Sequence, residues 1–232
     1  MTSPLEVSRL TVRFEGLVAL QGVSLALDEG ELVGLIGPNG AGKTTLIDAV
    51  MGFVRYEGSV SVAGERVDAL RPDQRAARGW LGRTFQSLEL FEDLTVRENL
   101  SVGPGTSTSA IDAVLAATRL GPMADRLPAT LPPSTRRLVA LARALAAEPR
   151  VLLLDEIAAG LDSDERSALA GHLRDIVEAG SSVLLVDHDL GLVAEICHRV
   201  IVLGAGRVIA SGTPAAVRRD ERVLAAYLGR PS

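Results

Sequence analysis

The 232-residue sequence carries a single cysteine, Cys197. No internal disulfide can form, which fits a reducing compartment, and a lone cysteine of this kind is expected to be a buried packing residue. Positive charge is not in excess: 24 lysines and arginines stand against 29 aspartates and glutamates, a net charge of −5. Nucleic-acid binding therefore has no bulk electrostatic support. No apolar run approaches the ~18 residues that a spanning helix needs, so any link to a membrane must run through a partner. The opening stretch MTSPLEVSRL lacks a basic segment followed by an apolar one, and no secretory signal is expected. Repeats, low-complexity tracts and clear linkers are missing as well. What remains is length enough for one large domain, or a core with a small subdomain. Such a chain buries roughly 70–75% of its unfolded surface and needs neither metal nor disulfide to hold it.

Short apolar runs recur along the chain, at Val7–Phe14, Leu32–Ile36, Ser59–Val62, Trp80–Phe85, Val151–Leu154, Val183–Val186, Val200–Leu203 and Arg207–Ala210. Most end at Gly, Asp or Glu, as buried strands do. Helical periods lie between them. Leu138, Leu141, Ala142 and Leu145 share one face of Ser134–Ala147, and Leu169, Leu173, Ile176 and Val177 share one face of Ser163–Ala179. Asp162, with Glu165 three residues on, is a usable N-cap for the second helix. Strands alternating with helices predict an α/β fold, a mostly parallel sheet with helices on both faces. Hairpin-like patterns at the start, at Ser59–Arg66 and at Val200–Ser211 predict an added antiparallel portion. The stretch from about Ser87 to Leu131 shows helical periods only and reads as an inserted helical subdomain.

Leu32–Ile36 runs directly into GPNGAGKTTL, which fits G-x-x-x-x-G-K-[ST] at Gly37, Gly42, Lys43 and Thr44. Glycines let the chain fold back so that successive N–H groups point inward at phosphate oxygens. Gly37, Pro38, Asn39, Gly40, Ala41, Gly42, Lys43, Thr44 and Thr45 form the expected nucleotide-binding set. Lys43 supplies a point charge for the terminal phosphates, and the Thr44 hydroxyl can hold a magnesium ion. The helix expected from about Lys43 to Met51 adds the positive end of its dipole. A second run, VLLLDE, ends in Asp155 and Glu156. Successive strand side chains face opposite ways, but a turn at the strand end can aim both carboxylates at one site. Ligands of open α/β sheets lie beyond the carboxyl ends of the strands. Asp155 is then a magnesium partner that acts through the ion's own ligands, and Glu156 is the candidate base or orienter for an attacking water.

With these two motifs in place, the whole chain resembles the ATP-binding subunit of an ABC transporter. The resemblance implies a P-loop NTPase (RecA-like) core with an antiparallel β subdomain and an inserted α-helical subdomain at about 87–145, all within one ABC-type domain of residues 1–232. Further residues match by position. Phe14 in RFEGLVAL stands where the family places an aromatic on adenine, though an ordinary strand aromatic would look the same. Gln86 in GRTFQSLELF matches the glutamine at the γ-phosphate and metal site, and it begins the segment that faces the membrane partner. Asp162 in AAGLD matches an aspartate that reaches across a dimer interface, a role compatible with capping. His188 in VLLVDHDL matches the switch histidine near the γ-phosphate. The implied catalytic set is Glu156, His188, Gln86 and Lys43; the implied magnesium set is Thr44, Gln86 and Asp155. The stretches ARGWLGRTFQSLELFEDLTVRENL, VDHDLGLVAEICHRVIVLGAGRVIASGTP and AAYLG are similar to the ATPases of branched-chain amino acid importers. ATP and Mg2+, transmembrane permease subunits and a second ATPase subunit are the implied cofactors and partners, with no nucleic acid. The implied location is cytoplasmic, peripheral on the inner face of the plasma membrane through the permease.

One stretch departs from the family. Its signature, usually Leu-Ser-Gly-Gly-Gln, caps the nucleotide bound to a partner ATPase. Here the aligned residues are Leu131, Pro132, Pro133, Ser134 and Thr135, which differ at four of the five positions. Pro132 offers no hydroxyl, and neither proline has an N–H to give a phosphate. The helix itself should survive, because proline is tolerated in a first turn, with Ser134 as a reasonable N-cap. Arg136 and Arg137 add positive charge nearby. The motifs serving the chain's own nucleotide are complete while the help it gives a partner is reduced, so a heterodimer is expected; the alternative is a tolerated variant whose site still works, since helix-dipole binding does not depend on one side chain. Two functions stay open: an ATPase that drives a solute importer, and a regulatory or structural subunit that binds ATP and hydrolyses little of it.

Overall fold

The computed structural model describes residues 3–85, 89–187 and 190–228. Two sheets form. The smaller is antiparallel, built from β1 (Leu5–Phe14), β2 (Leu17–Leu27), and, after β3 (Leu32–Ile36) and α1 (Lys43–Met51), from β4 (Glu57–Val62) and β5 (Glu65–Arg66), in the order β2-β1-β4-β5. The chain continues through α2 (Pro72–Ala77) and β6 (Leu81–Arg83) to α3 (Val96–Ser101), α4 (Thr108–Ala117) and α5 (Pro133–Leu145). It then alternates through β7 (Val151–Asp155), α6 (Ser163–Glu178), β8 (Ser182–Val186), α7 (Leu190–Ile196) and β9 (Arg199–Gly204), and ends in β10 (Arg207–Gly212), α8 (Pro214–Val217) and α9 (Glu221–Leu228). The larger sheet has the order β10-β9-β3-β8-β7-β6. It is parallel from β6 to β9, and β10 is antiparallel to β9.

A period of two divides the buried residues of the parallel sheet between two cores. Val33, Leu35, Val151, Leu153, Leu184, Val186, Ile201 and Leu203 pack on one face, with α1 and the antiparallel sheet. Leu32, Ile36, Leu152, Leu154, Val183, Leu185, Val200 and Val202 pack on the other, with α6 and α7. Near-continuous apolar strands are what a sheet covered on both faces requires. A third cluster gathers Val96, Leu100, Ile111, Leu115, Leu120 and Leu131 around α3 and α4. Helix α5 serves two clusters, with Val139, Ala140 and Ala142 in the third and Leu141 in the second.

The hairpin pattern at Val200–Ser211 does not join the antiparallel sheet but forms the edge of the parallel one. Ala205 and Gly206, at φ 45° and 74°, make the two-residue turn. Two left-handed residues match the right-handed twist of the strands they connect. The strand at Trp80–Phe85 is shorter than its apolar run, because only Leu81, Gly82 and Arg83 pair with β7. Asp162 caps α6 as expected: its carboxylate accepts the Glu165 N–H at 2.9 Å, and Glu165 accepts the Asp162 N–H at 3.1 Å. Ser134 is not the cap of α5. Pro132 takes that place with φ −57° and ψ 153°, and Pro133 is the first helical residue. Proline's fixed φ suits both places, and a first-turn N–H has no intrahelical acceptor to lose. Cys197 is buried, as its isolation suggested.

Candidate functional site

The site lies along the carboxyl edge of the parallel sheet, where β3, β8 and β7 are neighbours. All five residues of β3 are buried, and the chain leaves its end at Gly37 with φ 152°. A Cβ on Gly37 would lie 2.2 Å from the Leu203 carbonyl oxygen, so no other residue fits without moving β9. Gly42, at φ 102°, is also tightly packed: a Cβ there would lie 2.6 Å from Leu20 and 2.8 Å from the Ala19 carbonyl oxygen. The Ala41 N–H donates to Pro38 O at 3.1 Å, and Ala41 O accepts the Gly206 N–H at 3.1 Å. The β2 strand and the β9–β10 turn thus wedge the loop in place. Asn39 and Gly40 are left exposed at its crest.

Helix α1 starts at Lys43 with Gly42 as its N-cap and no side chain capping it. Its first N–H groups have no intrahelical acceptor and stand at the positive end of the helix dipole, an arrangement suited to an anion. Lys43 is buried, and its ammonium donates to Gly37 O at 2.8 Å and Pro38 O at 3.1 Å. Burial holds this amine below the usual lysine range, and the carboxylates of Glu156 and Asp155 act in the opposite direction.

Asp155 is the last residue of β7 and is buried; Glu156 turns out of the strand with φ 50°. A left-handed non-glycine residue carries strain of ~1–3 kcal/mol, which surrounding structure must hold. Here the Glu156 N–H is anchored on Val186 O at 2.8 Å. The turn is what lets both carboxylates line one small cavity, together with Thr84, Phe85 and Arg137. Burial pushes the Asp155 carboxyl above the usual range, Arg83 opposes this, and Glu156 adds to it. The Thr44 hydroxyl donates to Asp155. An exposed hydroxyl bonded to a buried carboxylate beside the phosphate loop is a hard-oxygen set that fits magnesium. Among the described residues no group of three or more His, Cys, Asp and Glu side chains forms a metal cage.

Phe14 is 44% exposed at the end of β1, opposite Leu17 at 66%. Its hairpin is the one whose Ala19 and Leu20 press on Gly42. Gln86 and His188 lie outside the described residues. At the start of α5, Pro132 and Pro133 are exposed and Ser134 and Thr135 are half-buried. Arg136 is ion-paired with Glu92, so its charge near this helix start is partly neutralised. Arg137 instead turns toward Gly160 and the carboxylate cavity.

Three contributors were not anticipated. Thr84 accepts the Asp155 N–H at 3.2 Å and so steadies the strand end. Arg83 lies beside Asp155 and Asp48. Tyr227, from α9, takes the Gly37 N–H on its hydroxyl, and burial raises its pKa. Arg83 and Thr84 sit in the GRTFQ stretch and Tyr227 in AAYLG, both quoted above for subfamily similarity, but their contacts depend on strands and helices distant in sequence.

Residues 20–159 match the family described as ABC transporter, and residues 207–231 match the branched-chain amino acid ATP-binding cassette transporter family. The chain is 38% identical to the high-affinity branched-chain amino acid transport ATP-binding protein BraF of Pseudomonas aeruginosa, over 97% of both. It is 36% identical to the lipopolysaccharide export system ATP-binding protein LptB of Haemophilus influenzae, over 98% of both. The crystal structure of a nucleotide-free ATP-binding cassette from an ABC transporter superimposes with a TM-score of 0.89 at 26% identity, over 99% of this chain and 100% of that one. With the phosphate loop, the carboxylate pair and the fold agreeing, the chain belongs to the ABC transporter family as an ATP-binding, ATP-hydrolysing subunit.

Proposed function

We propose that this ATPase drives import of branched-chain amino acids or a similar small solute, working as one half of an unequal ATPase pair. The observation that carries the enzymatic part is the convergence of Lys43, Thr44 and Asp155 at one end of the parallel sheet. In this reading the N–H groups from Gly40 to Thr45 and the Lys43 ammonium hold the phosphates. Phe14 supplies an exposed ring for the adenine. Thr44, Asp155 and Gln86 would hold magnesium, which neutralises phosphate charge when bound. Glu156 orients the attacking water and accepts its proton, and Gln86 and His188 contact the γ-phosphate.

The match of residues 207–231 and the likeness to BraF support the solute class; the likeness to LptB keeps export as the alternative direction. Among the described residues no helix is long and apolar enough to cross a membrane. The chain is then peripheral on the inner face, held by permease subunits. The groove lined by Phe85, Phe91, Val102 and Arg143 supports docking there, since Phe91 is 47% and Val102 49% exposed. The third hydrophobic cluster supports treating about 87–145 as a helical unit inserted into one domain of residues 1–232.

Inequality of the pair rests on the start of α5. Of the four N–H groups that a helix start offers, Pro132 and Pro133 remove two, and only Ser134 and Thr135 remain to cap a partner's nucleotide. A heterodimer with an ATPase of full signature would have one competent and one impaired site. The same prolines favour a second reading, a regulatory subunit that hydrolyses little ATP. Purified alone, this chain should hydrolyse slowly and without cooperativity, and addition of its cognate ATPase should raise the rate. Full cooperative hydrolysis by the chain alone, which no partner improves, removes the asymmetric reading. Glu156→Gln should trap ATP if the chain is a hydrolase and change little if it is regulatory.

A further inference from the structure

Arg83 ends β6 with a side chain only 6% exposed. Its guanidinium reaches two carboxylates through different nitrogens, closely at one and loosely at the other. Asp48, on α1, is at 2.6 Å, and Asp155 is at 3.9 Å. The stem has little freedom, because the guanidinium carbon sits 4.6 Å from the Phe85 ring centre and 5.6 Å from that of Phe53. The two rings are 6.4 Å apart, and Arg83 Nε is buried with no hydrogen-bond partner among the described residues. The buried charge is therefore compensated mainly by Asp48, with Asp155 as the more distant partner. Nothing in fold stability requires a buried arginine here, since buried ion pairs commonly add little over apolar packing.

We propose that Arg83 is a positioning residue for the metal site: Asp48 holds its charge off Asp155, and this hold sets how readily Asp155 receives magnesium. The proposal rests on the reading of Thr44 and Asp155 as the magnesium set. Closer to Asp155, the guanidinium would occupy the carboxylate that a metal needs; absent, it would leave that carboxylate uncompensated and more attractive to a cation.

The Arg83–Asp48 pair makes the test sharp, because changes at its two ends should act in opposite directions. A fluorescent ADP analogue bound to the full chain is titrated with magnesium chloride, and the midpoint is recorded beside the melting temperature. Arg83→Met should lower the magnesium midpoint by roughly threefold or more, since the opposing charge is gone. Asp48→Asn should raise it by a similar factor, since Arg83 is then released toward Asp155. Arg83→Lys, which keeps the charge, should stay nearer the parent than Arg83→Met does and covers the case in which the Met variant fails to fold. Midpoints that stay fixed while melting temperatures fall, or that move in the same direction in Arg83→Met and Asp48→Asn, overturn the proposal in favour of a merely structural pair. A parent protein whose nucleotide binding ignores magnesium overturns it differently, by removing the magnesium set itself.

Discussion

Restoring the helix start of α5 should convert this chain into a self-sufficient ATPase. The perturbation is the double replacement Pro132→Ser and Pro133→Gly. In the structure Pro132 is the N-cap and Pro133 the first helical residue, so the exchange returns two N–H groups and adds one hydroxyl at an exposed helix start. A hydrogen bond to a charged group contributes ~1.5–3 kcal/mol. With ~1.4 kcal/mol per factor of ten, a single restored bond to a phosphate strengthens closure of two copies over ATP by roughly 10–100-fold. The helix should weaken slightly, because glycine costs ~1 kcal/mol relative to a good helix former and proline's preorganised φ is lost. The assay is analytical ultracentrifugation with magnesium and ATP in a Glu156→Gln background, which should slow hydrolysis and so preserve any closed dimer. The dimer dissociation constant should fall at least ~10-fold while the melting temperature drops by a few degrees. An unchanged dissociation constant, or a parent chain that already closes tightly on itself, refutes the reasoning.

Gly37→Ala places a methyl group 2.2 Å from the Leu203 carbonyl oxygen, so nucleotide binding should be lost together with ~1–3 kcal/mol of stability. Gly40→Ala, with no atom within 4 Å of its Cβ, should cost only the left-handed backbone strain of ~1–2 kcal/mol; parallel titrations and melts compare the two. Asp155→Asn should abolish hydrolysis, by ~100-fold or more, yet stabilise the nucleotide-free protein at neutral pH. Burial raises the folded-state pKa of Asp155 above its unfolded value, so its ionisation opposes folding. The advantage of the variant should appear as pH rises above the ordinary aspartate range near ~4 and be complete once Asp155 is ionised in the folded protein. Melting curves across acidic to neutral pH check this, and a parent that is the more stable at pH 7 contradicts it.

How much could be read from the chain depends on how local each constraint is. The phosphate loop was legible because its geometry is made by consecutive residues: Gly37 and Gly42 adopt positive φ, and Lys43 folds back on its own loop. The capping of α6 by Asp162 is local in the same sense. The left-handed turn at Glu156 gives a concrete form to the expectation that the chain turns at the strand end. Ser134 was misread as a cap because its side chain suits the role, whereas Pro132 takes the cap position and the helix starts two residues earlier. The hairpin of β9 and β10 was legible, but its sheet was not, since strand partners are settled by packing far from the turn. Arg83, Thr84 and Tyr227 could not be found by pattern. Their partners Asp48, Asp155 and Gly37 come to them only through sheet order and the docking of α9.

Everything functional depends on Gly37 to Thr45 wrapping a triphosphate. Isothermal titration calorimetry of the intact chain with ATP and magnesium measures this directly. A saturable heat with one site per chain, lost in Lys43→Ala at unchanged melting temperature, is the expected result. No heat at millimolar nucleotide, or a Lys43→Ala variant that titrates like the parent, contradicts it.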